Sequence, residues 1–358
     1  MLSIVTPIDL GRRPRELVER VNTLASESES GGLRLIIGHG DRGGRYDSIL
    51  KEGMKKYHHV TVVSEKVSSA SPNMARLRNI AANAVGSEVI VFFDADIFPD
   101  TNLIRTIARQ TLSGASLAMA PCLYLSRVGT RRFSSHDCAR DVVERAIDFD
   151  SGLILHWAMP SSVMAVRSDD YRELGGFYEG YEGHGYEDID FILRLALVKG
   201  LVTPSSSLLI DRPYRAPLLA EGFRGVLSTL CLSNLLDGNI AFHLFHAKDG
   251  DESYYQSRNE NAALFQRRIG ALVAGLRQDE DACPPIIQAF FSECKRRCID
   301  PARFHALFDA RPRYMLQRKA LHIRLRRTFI KYWNRVAGRY PVAIKKKNAQ
   351  SYLKHFIQ

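Results

Sequence analysis

The sequence predicts an α/β fold: a mostly parallel, Rossmann-like central sheet with helices on both faces, followed by a basic helical C-terminal extension. Two observations predict the sheet. Apolar strand-like runs alternate with amphipathic helical stretches from residue 1 to about 120. Crossovers of that length join parallel strands and cover both faces of their sheet. A third observation predicts the extension. From Ala310 to Gln358 there are fourteen Arg and Lys and no Asp or Glu, so residues 1–309 carry −3 of the chain's net +11.

Taken in order, Leu2–Ile8 (LSIVTPI) reads as a buried strand. Pro14 marks a helix start, with Leu17, Val18, Val21 and Leu24 on one face. Leu33–His39 (LRLIIGH) is a second strand, closed by the Gly-rich turn GHGDRGG at 38–44. His59–Glu65 (HVTVVSE) is a third, with partial alternation. Met74, Leu77, Ala81, Ala84 and Val85 form a helical stripe before the very apolar strand Glu88–Phe98 (EVIVFFDADIF). Shorter strands follow at 116–125, 161–167 and 205–211, around a Gly/Tyr-rich loop and the helix FILRLALVKG. Helices are predicted over 258–277, 284–297 and 313–337. In the last of these, Leu321, Leu325, Phe329, Trp333 and Val336 line one stripe among basic residues. These boundaries divide the chain into a body of 1–275, with halves 1–120 and 121–275, and a helical basic extension of 276–358.

The 358 residues suit one large α/β domain with appendages or two domains. With 45% hydrophobic and 25% charged residues, a mostly disordered or collagen-like chain is excluded. No apolar run reaches the ~18 residues that a membrane-spanning helix needs. The N-terminal MLSIVTPIDL lacks a secretory pattern, and the six cysteines contain no Cys-x-x-Cys pair, which together lead us to expect reduced thiols in the cytoplasm. Cys283, Cys294, Cys298 and His305 do not match the spacing of a common structural zinc site.

Three stretches carry chemistry. Asp94-Ala95-Asp96 ends the fourth strand, and side chains two apart there face one side at the ligand edge of a parallel sheet. Two carboxylates in that place suit a hard divalent cation such as Mn²⁺ or Mg²⁺, although a solvated turn is the plain alternative. Leu174–Arg194 sets glycines 175, 176, 180, 183 and 185 among aromatic residues and ends in Glu187, Asp188 and Asp190 at a helix start. Acidic residues favour that position, and Asp190 with Arg194 forms an i, i+4 pair. Neither effect requires the glycines. In Phe242-His243-Leu244-Phe245-His246, a histidine among apolar residues is ordinarily a core group, but neutral imidazole also completes an oxygen-rich metal site.

With SIVTPI, the acidic turn at Asp41, ARLRNIAANAVGSEVIVFFDADIFPD and GGFYEGYEGHGYEDIDFILRL in succession, residues 3–260 resemble the family 2-like, nucleotide-sugar-dependent glycosyltransferases of the GT-A fold. The Gly-rich loop ending in Glu-Asp is similar to that of β4-galactosyltransferases and chondroitin-type capsule polymerases. The resemblance implies that Pro7, Ile8 and Asp41 edge the nucleotide and that Arg78, rather than Arg76, reaches the diphosphate. It further implies that Asp94, Ala95 and Asp96 meet the donor, Asp94 and Asp96 holding ribose and metal, and that His246, rather than His243, completes the Mn²⁺ (or Mg²⁺) site. Asp188 becomes the general base and Glu187 a sugar ligand. Two departures stand out: Gly183-His184-Gly185-Tyr186 replaces the family's Trp-Gly, and Gly40-Asp41-Arg42 replaces its Asp-Asp-Gly/Ser turn.

The activity that the resemblance implies is inverting sugar transfer from a UDP-sugar to a glycan or lipid-linked acceptor in bacterial surface polysaccharide synthesis. The basic tail is expected to lie on the anionic inner face of the cell membrane. An acidic polymer would meet the same charge, with nucleic acid the lesser candidate, and simple packing of the stripe on the body is the plain alternative. Two other functions compete. A sugar-phosphate nucleotidyltransferase would need a Gly-rich phosphate loop after the first strand, where PIDLGRRPREL has one Gly. A non-catalytic membrane- or nucleic-acid-associated protein would not need Asp94, Asp96, Asp188 and His246 together.

Overall fold

A computed structural model describes residues 2–69, 71–133, 153–212, 216–247, 252–276 and 286–308. The predicted helix at 313–337 and the rest of the basic tail lie outside the described residues. The first half alternates as expected: β1 (Leu2–Asp9), α1 (Pro14–Ser30), β2 (Arg34–Asp41), α2 (Arg45–Met54), β3 (Val60–Lys66), α3 (Met74–Asn83), β4 (Val89–Phe92) and α4 (Thr101–Leu112). After it come β5 (Leu117–Met119), β6 (Cys122–Leu125), α5 (Arg127–Arg132), β7 (Ile154–Ala158), β8 (Met164–Arg167) and α6 (Ser168–Glu173). The remainder is largely helical: α7 (Glu187–Val198), α8 (Gly222–Ser228), α9 (Leu232–Leu236), the strand β9 (Ala241–His243), α10 (Glu252–Ala274) and α11 (Ile286–Arg296).

The main sheet has the order β3-β2-β1-β4-β8-β5. β3, β2, β1 and β4 run parallel, and β8 joins β4 antiparallel. The chain leaves β1 toward β2 and β3, then returns to place β4 on β1's other side. The gap between the carboxyl ends of β1 and β4 is therefore the switch point where such sheets bind ligands. Strand alternation gives each face its own core. Val5, Ile90 and Phe92 pack on one side with α3 and α7, while Ile4, Ile8, Val89 and Val91 pack on the other with α1 and α4.

The sequence misplaces two strands. The run 116–125 does not continue as one strand but breaks at Ala120-Pro121, giving β5 to the main sheet and β6 to a small sheet ordered β7-β6-β9. Proline cannot donate to a ladder, and only the Pro121 carbonyl is used, accepting Ala241 N at 2.9 Å. The expected strand at 205–211 is instead a single 3₁₀ turn, Ser206–Leu209, with the Ser205 and Ser207 hydroxyls bonded to each other. Serine side chains satisfied locally compete with a ladder. Ile286, Phe290 and Cys294 of α11, with Phe304 and Leu307 beyond it, belong to the same core as the body.

Small sheet and main sheet meet behind the site. Ile97 bridges to His243, Phe98 N donates to the Phe242 carbonyl at 2.8 Å, and Leu244 N donates to the Asp96 carbonyl at 2.8 Å. This backbone pairing sets the turn after β4 beside the histidines that follow β9.

Two substitutions test the packing. A Cβ on Gly38 of β2 would overlap the Leu77 carbonyl of α3. Gly38→Ala should therefore lift α3, and Arg78 with it, costing about 1–3 kcal/mol in chemical denaturation. Asp190 of α7 is fully buried. Besides the expected Arg194 Nε at 2.6 Å, it accepts Arg268 Nε of α10 at 2.9 Å and the Tyr181 hydroxyl at 3.1 Å. Asp190→Asn should leave two partly buried guanidinium groups short of a charge and cost about 3 kcal/mol by the same measurement.

Candidate active site

At the switch point a cleft of about 260 Å³ brings together Pro7 and Ile8 of β1, the turn Asp94-Ala95-Asp96, Arg78 of α3, Glu187 and Asp188 of α7, and His243 and His246. In the sequence these residues stand on segments up to 239 positions apart, from Pro7 to His246.

One half of the site is an ion chain. Arg78 donates from Nη2 to Asp94 Oδ1 at 2.9 Å and from Nη1 to Glu187 Oε1 at 3.0 Å, with its guanidinium 5.4 Å from the Phe177 ring centre. Its side chain is only 4% exposed. Burial works against the charge, but Asp94, Glu187 and Asp188 outweigh it and hold Arg78 firmly protonated. Ser162 Oγ fills the other oxygen of Asp94 at 2.8 Å. Glu187 is pushed above the usual carboxylate range by burial and by the neighbouring Asp188, with Arg78 opposing. Asp188 is half-buried, lines the cleft and accepts only from Ile189 N, at 2.8 Å, among the hydrogen bonds of the described residues.

The glycines explain how two acids reach this place. Gly183, Gly185 and Tyr186 all have positive φ, at 70°, 91° and 78°, immediately before α7. For a tyrosine that conformation is strained, and it persists because the side chain is held from three sides. The Tyr186 hydroxyl bonds Asp211, and Arg224 and Arg258 lie over the ring at 5.9 and 5.5 Å.

The other half is a candidate metal centre. One ligand atom from each of Asp96, His243 and His246 lies within 4.8 Å of the others, and His246 Nε2 is 3.7 Å from Asp96 Oδ2. Burial pushes the His243 pKa down to about 4, which keeps its imidazole neutral and able to donate a lone pair. The His243 ring stacks on Tyr124 at 4.0 Å, and Tyr124 stacks in turn on His156 at 4.2 Å, three rings across β9, β6 and β7. The resemblance implies His246 rather than His243; the structure brings both to Asp96.

Other expected residues stand elsewhere. Asp41 does not line the cleft: its carboxylate accepts Lys51 Nζ at 2.9 Å and Gly43 N at 3.0 Å. Asp9 lines it instead, with Arg42 donating from Nε at 2.8 Å and Nη2 at 2.9 Å. Arg76 pairs with Glu65, outside the cleft. Sequence reasoning also missed Arg13, directly before α1, and Arg20 in its second turn. Arg13 donates to both oxygens of Asp96, at 3.2 and 2.8 Å, and Arg20 donates to Oδ1. Burial would raise the Asp96 pKa, but the Arg13 hydrogen bond and the charges of Arg13 and Arg20 hold it down at about 2. For Arg13 the available signal was the Arg-Arg-Pro that opens α1 directly after β1.

Several solved structures are similar at low identity. The mannosyltransferase PcManGT of Pyrobaculum calidifontis, in complex with GDP-Man and Mn²⁺, has a TM-score of 0.44 and 15% identity, over 92% of this chain and 82% of that one. The glucosyl-3-phosphoglycerate synthase of Mycobacterium tuberculosis, in complex with Mn²⁺, UDP and glucosyl-3-phosphoglycerate, has a TM-score of 0.36 and 15% identity, over 75% and 80%. The catalytic domain of Drosophila β1,4-galactosyltransferase 7, in complex with xylobiose, has a TM-score of 0.28 and 16% identity, over 54% and 59%. No curated protein matches the sequence. The family model described as glycosyltransferase like family 2 matches residues 3–269, a span that contains every residue of the cleft, and the chain therefore belongs to that family of glycosyltransferases.

Proposed function

We propose that this glycosyltransferase is metal-dependent and inverting. Its donor is a nucleotide-sugar, a UDP-sugar first, and its acceptor is a glycan or a lipid-linked precursor of a bacterial surface polysaccharide. The observation that carries the reading is the division of one cleft into two chemistries. Asp96, His243 and His246 converge on one wall, and a half-buried carboxylate, Asp188, stands at a helix start on another.

The donor set fits a divalent ion of the Mn²⁺ type. One carboxylate and two imidazoles, one of them held neutral, suit a borderline cation better than Ca²⁺, which takes six to eight oxygens. When bound, such an ion supplies positive charge beside a departing diphosphate. The chain's own residues do the remainder. Pro7 and Ile8 line the β1 edge of the cleft, where the base of the donor would rest. Asp94, fixed by Arg78 and Ser162, presents its carboxylate toward the donor ribose. Asp188 takes the proton of the acceptor hydroxyl as that oxygen bonds to the anomeric carbon. The bond from that carbon to the phosphate oxygen breaks on the opposite face, so the anomeric configuration inverts. Glu187, tied to Arg78, would bind a sugar hydroxyl and fixes the height of Asp188.

The test is turnover of a panel of nucleotide-sugars by Asp188→Asn. The amide keeps the size of the acid but cannot accept the proton. kcat should fall by roughly 10²–10⁴-fold while donor affinity, measured by calorimetry, stays nearly unchanged. Near-normal turnover, or retention of configuration in the product, would remove Asp188 from this role. EDTA should abolish transfer and Mn²⁺ should restore it better than Ca²⁺; full activity under chelation would remove the ion.

The basic tail supports a second element of the proposal, a cytoplasmic enzyme peripheral to the inner face of the membrane. Fourteen basic residues over 310–358, set beside the apolar stripe from Leu321 to Val336, have the composition of an interfacial helix. Each contributes about 1 kcal/mol near an anionic surface. Removing residues 313–358 should release the protein from anionic vesicles at low salt and spare transfer to a soluble acceptor. Full-length protein that floats free of such vesicles would leave the tail to packing.

A further inference from the structure

We propose that Arg13 and Arg20 are ligands of the donor's diphosphate, held by Asp96 until a divalent cation takes that carboxylate from them. The inference rests on the donor reading above and concerns residues outside the motifs that led to it. Arg13 donates to both oxygens of Asp96, at 3.2 and 2.8 Å, and Arg20 donates to Oδ1 as well. Asp96 is also the only carboxylate of the candidate metal group, with His246 Nε2 3.7 Å from Oδ2. An ion there needs an Asp96 lone pair and would set two positive charges beside two guanidinium groups. The clamp and the ion therefore compete for one carboxylate.

Charge decides where the arginines go. Arg13 and Arg20 also share Glu16, so the four groups Arg13, Arg20, Asp96 and Glu16 sum to zero. A divalent ion breaks that balance by two positive charges. The diphosphate bridge of a nucleotide-sugar carries two negative charges and restores it. Arg78, the cation expected at the diphosphate, is 4% exposed and tied to Asp94 and Glu187, neither of which belongs to the candidate metal group. The Asp96 that holds Arg13 and Nη1 of Arg20 does belong to it, while Nη2 of Arg20 stays on Glu16 and the Phe245 carbonyl. Arg13 and Arg20 are 17% and 12% exposed. Arg13 stands directly before α1 and lines the cleft at the switch point, while Arg20 lies in the second turn of the helix and reaches the same Asp96 from behind it. The positive end of that seventeen-residue helix favours an anion beside Arg13. Arg13 itself adopts φ 47°, a left-handed conformation rare for a non-glycine residue, and its guanidinium lies in the cleft wall. Planar guanidinium donors match phosphate oxygens in pairs.

The consequence is coupling. Ion and donor should each bind the free protein weakly and each should strengthen the other, because linkage is reciprocal. The experiment is calorimetry on the full chain with UDP and GDP, in EDTA and in Mn²⁺, and with Mn²⁺ alone. Arg13→Gln and Arg20→Gln should each weaken metal-free nucleotide binding by about tenfold, the loss of charge-assisted donors, and should tighten binding of Mn²⁺ alone. Asp96→Asn should do the opposite: lose Mn²⁺ but tighten metal-free nucleotide binding, since the guanidinium groups are then unheld. A damaged fold cannot produce that gain. Metal-free affinity unchanged in both arginine variants, or no gain in Asp96→Asn, overturns the clamp while leaving the glycosyltransferase reading intact. A wild-type protein that binds neither UDP nor GDP under any condition overturns both.

Discussion

A single buried cation, Arg78, holds together the half of the cleft that carries Asp188. It enters from α3, and its two Nη atoms reach the end of β4 through Asp94 and the start of α7 through Glu187. A guanidinium that is 4% exposed persists only when such partners compensate its lost hydration. The elements that carry those partners are thereby fixed relative to one another. Gly38 is the condition on the other side of α3, because only a residue without a side chain lets that helix lie close enough on β2. The position of Asp188 is inherited from this arrangement, since it is the next residue after Glu187.

The half with the candidate metal group depends on backbone hydrogen bonds rather than on charge. The turn after β4 leaves the main sheet and pairs with β9, so the Asp96 carboxylate comes beside His243 and His246 by the pairing of Phe98 with Phe242 and of Leu244 with Asp96. The ring stack of His156, Tyr124 and His243 then limits how the His243 imidazole can turn. Arg20 ties the same region to α1 through the Phe245 carbonyl at 2.8 Å. Side chains with oriented supporting contacts would lose less entropy on binding a cation than side chains on a free loop.

Strain is placed where the acids emerge. Tyr186 with its positive φ, and the glycines at 183 and 185, turn the chain sharply into α7, and the cost is offset by Asp211, Arg224 and Arg258 around the tyrosine. This accounts for Gly183, Gly185 and Tyr186, which neither the helix-start preference for acids nor the Asp190–Arg194 pair requires. Asp190, two residues after Asp188, is spent on packing α7 against α10 and is unavailable to the cleft. The three acids of Glu-Asp-Ile-Asp thus divide into a tether, an open carboxylate and a core ion pair.

The sequence by itself determined the parallel β1–β4 sheet, the helices α1 and α3, the turn Asp94-Ala95-Asp96 and the acidic start of α7. These obey local rules: period two in a strand, period 3.6 in a helix, and charge at a helix terminus. The same rules erred where a tertiary alternative won, as at the 3₁₀ turn of 206–209 and the break at Pro121. Only the tertiary structure decided which charges meet. Asp9 replaces Asp41 at the cleft, His243 joins His246, Arg268 joins Arg194 on Asp190, and Arg13 and Arg20 close on Asp96 from 83 and 76 residues away. Periodicity records whether a side chain is buried. It carries no information about which distant partner neutralises it, because that depends on the strand order that brings the carboxyl ends of β1 and β4 side by side.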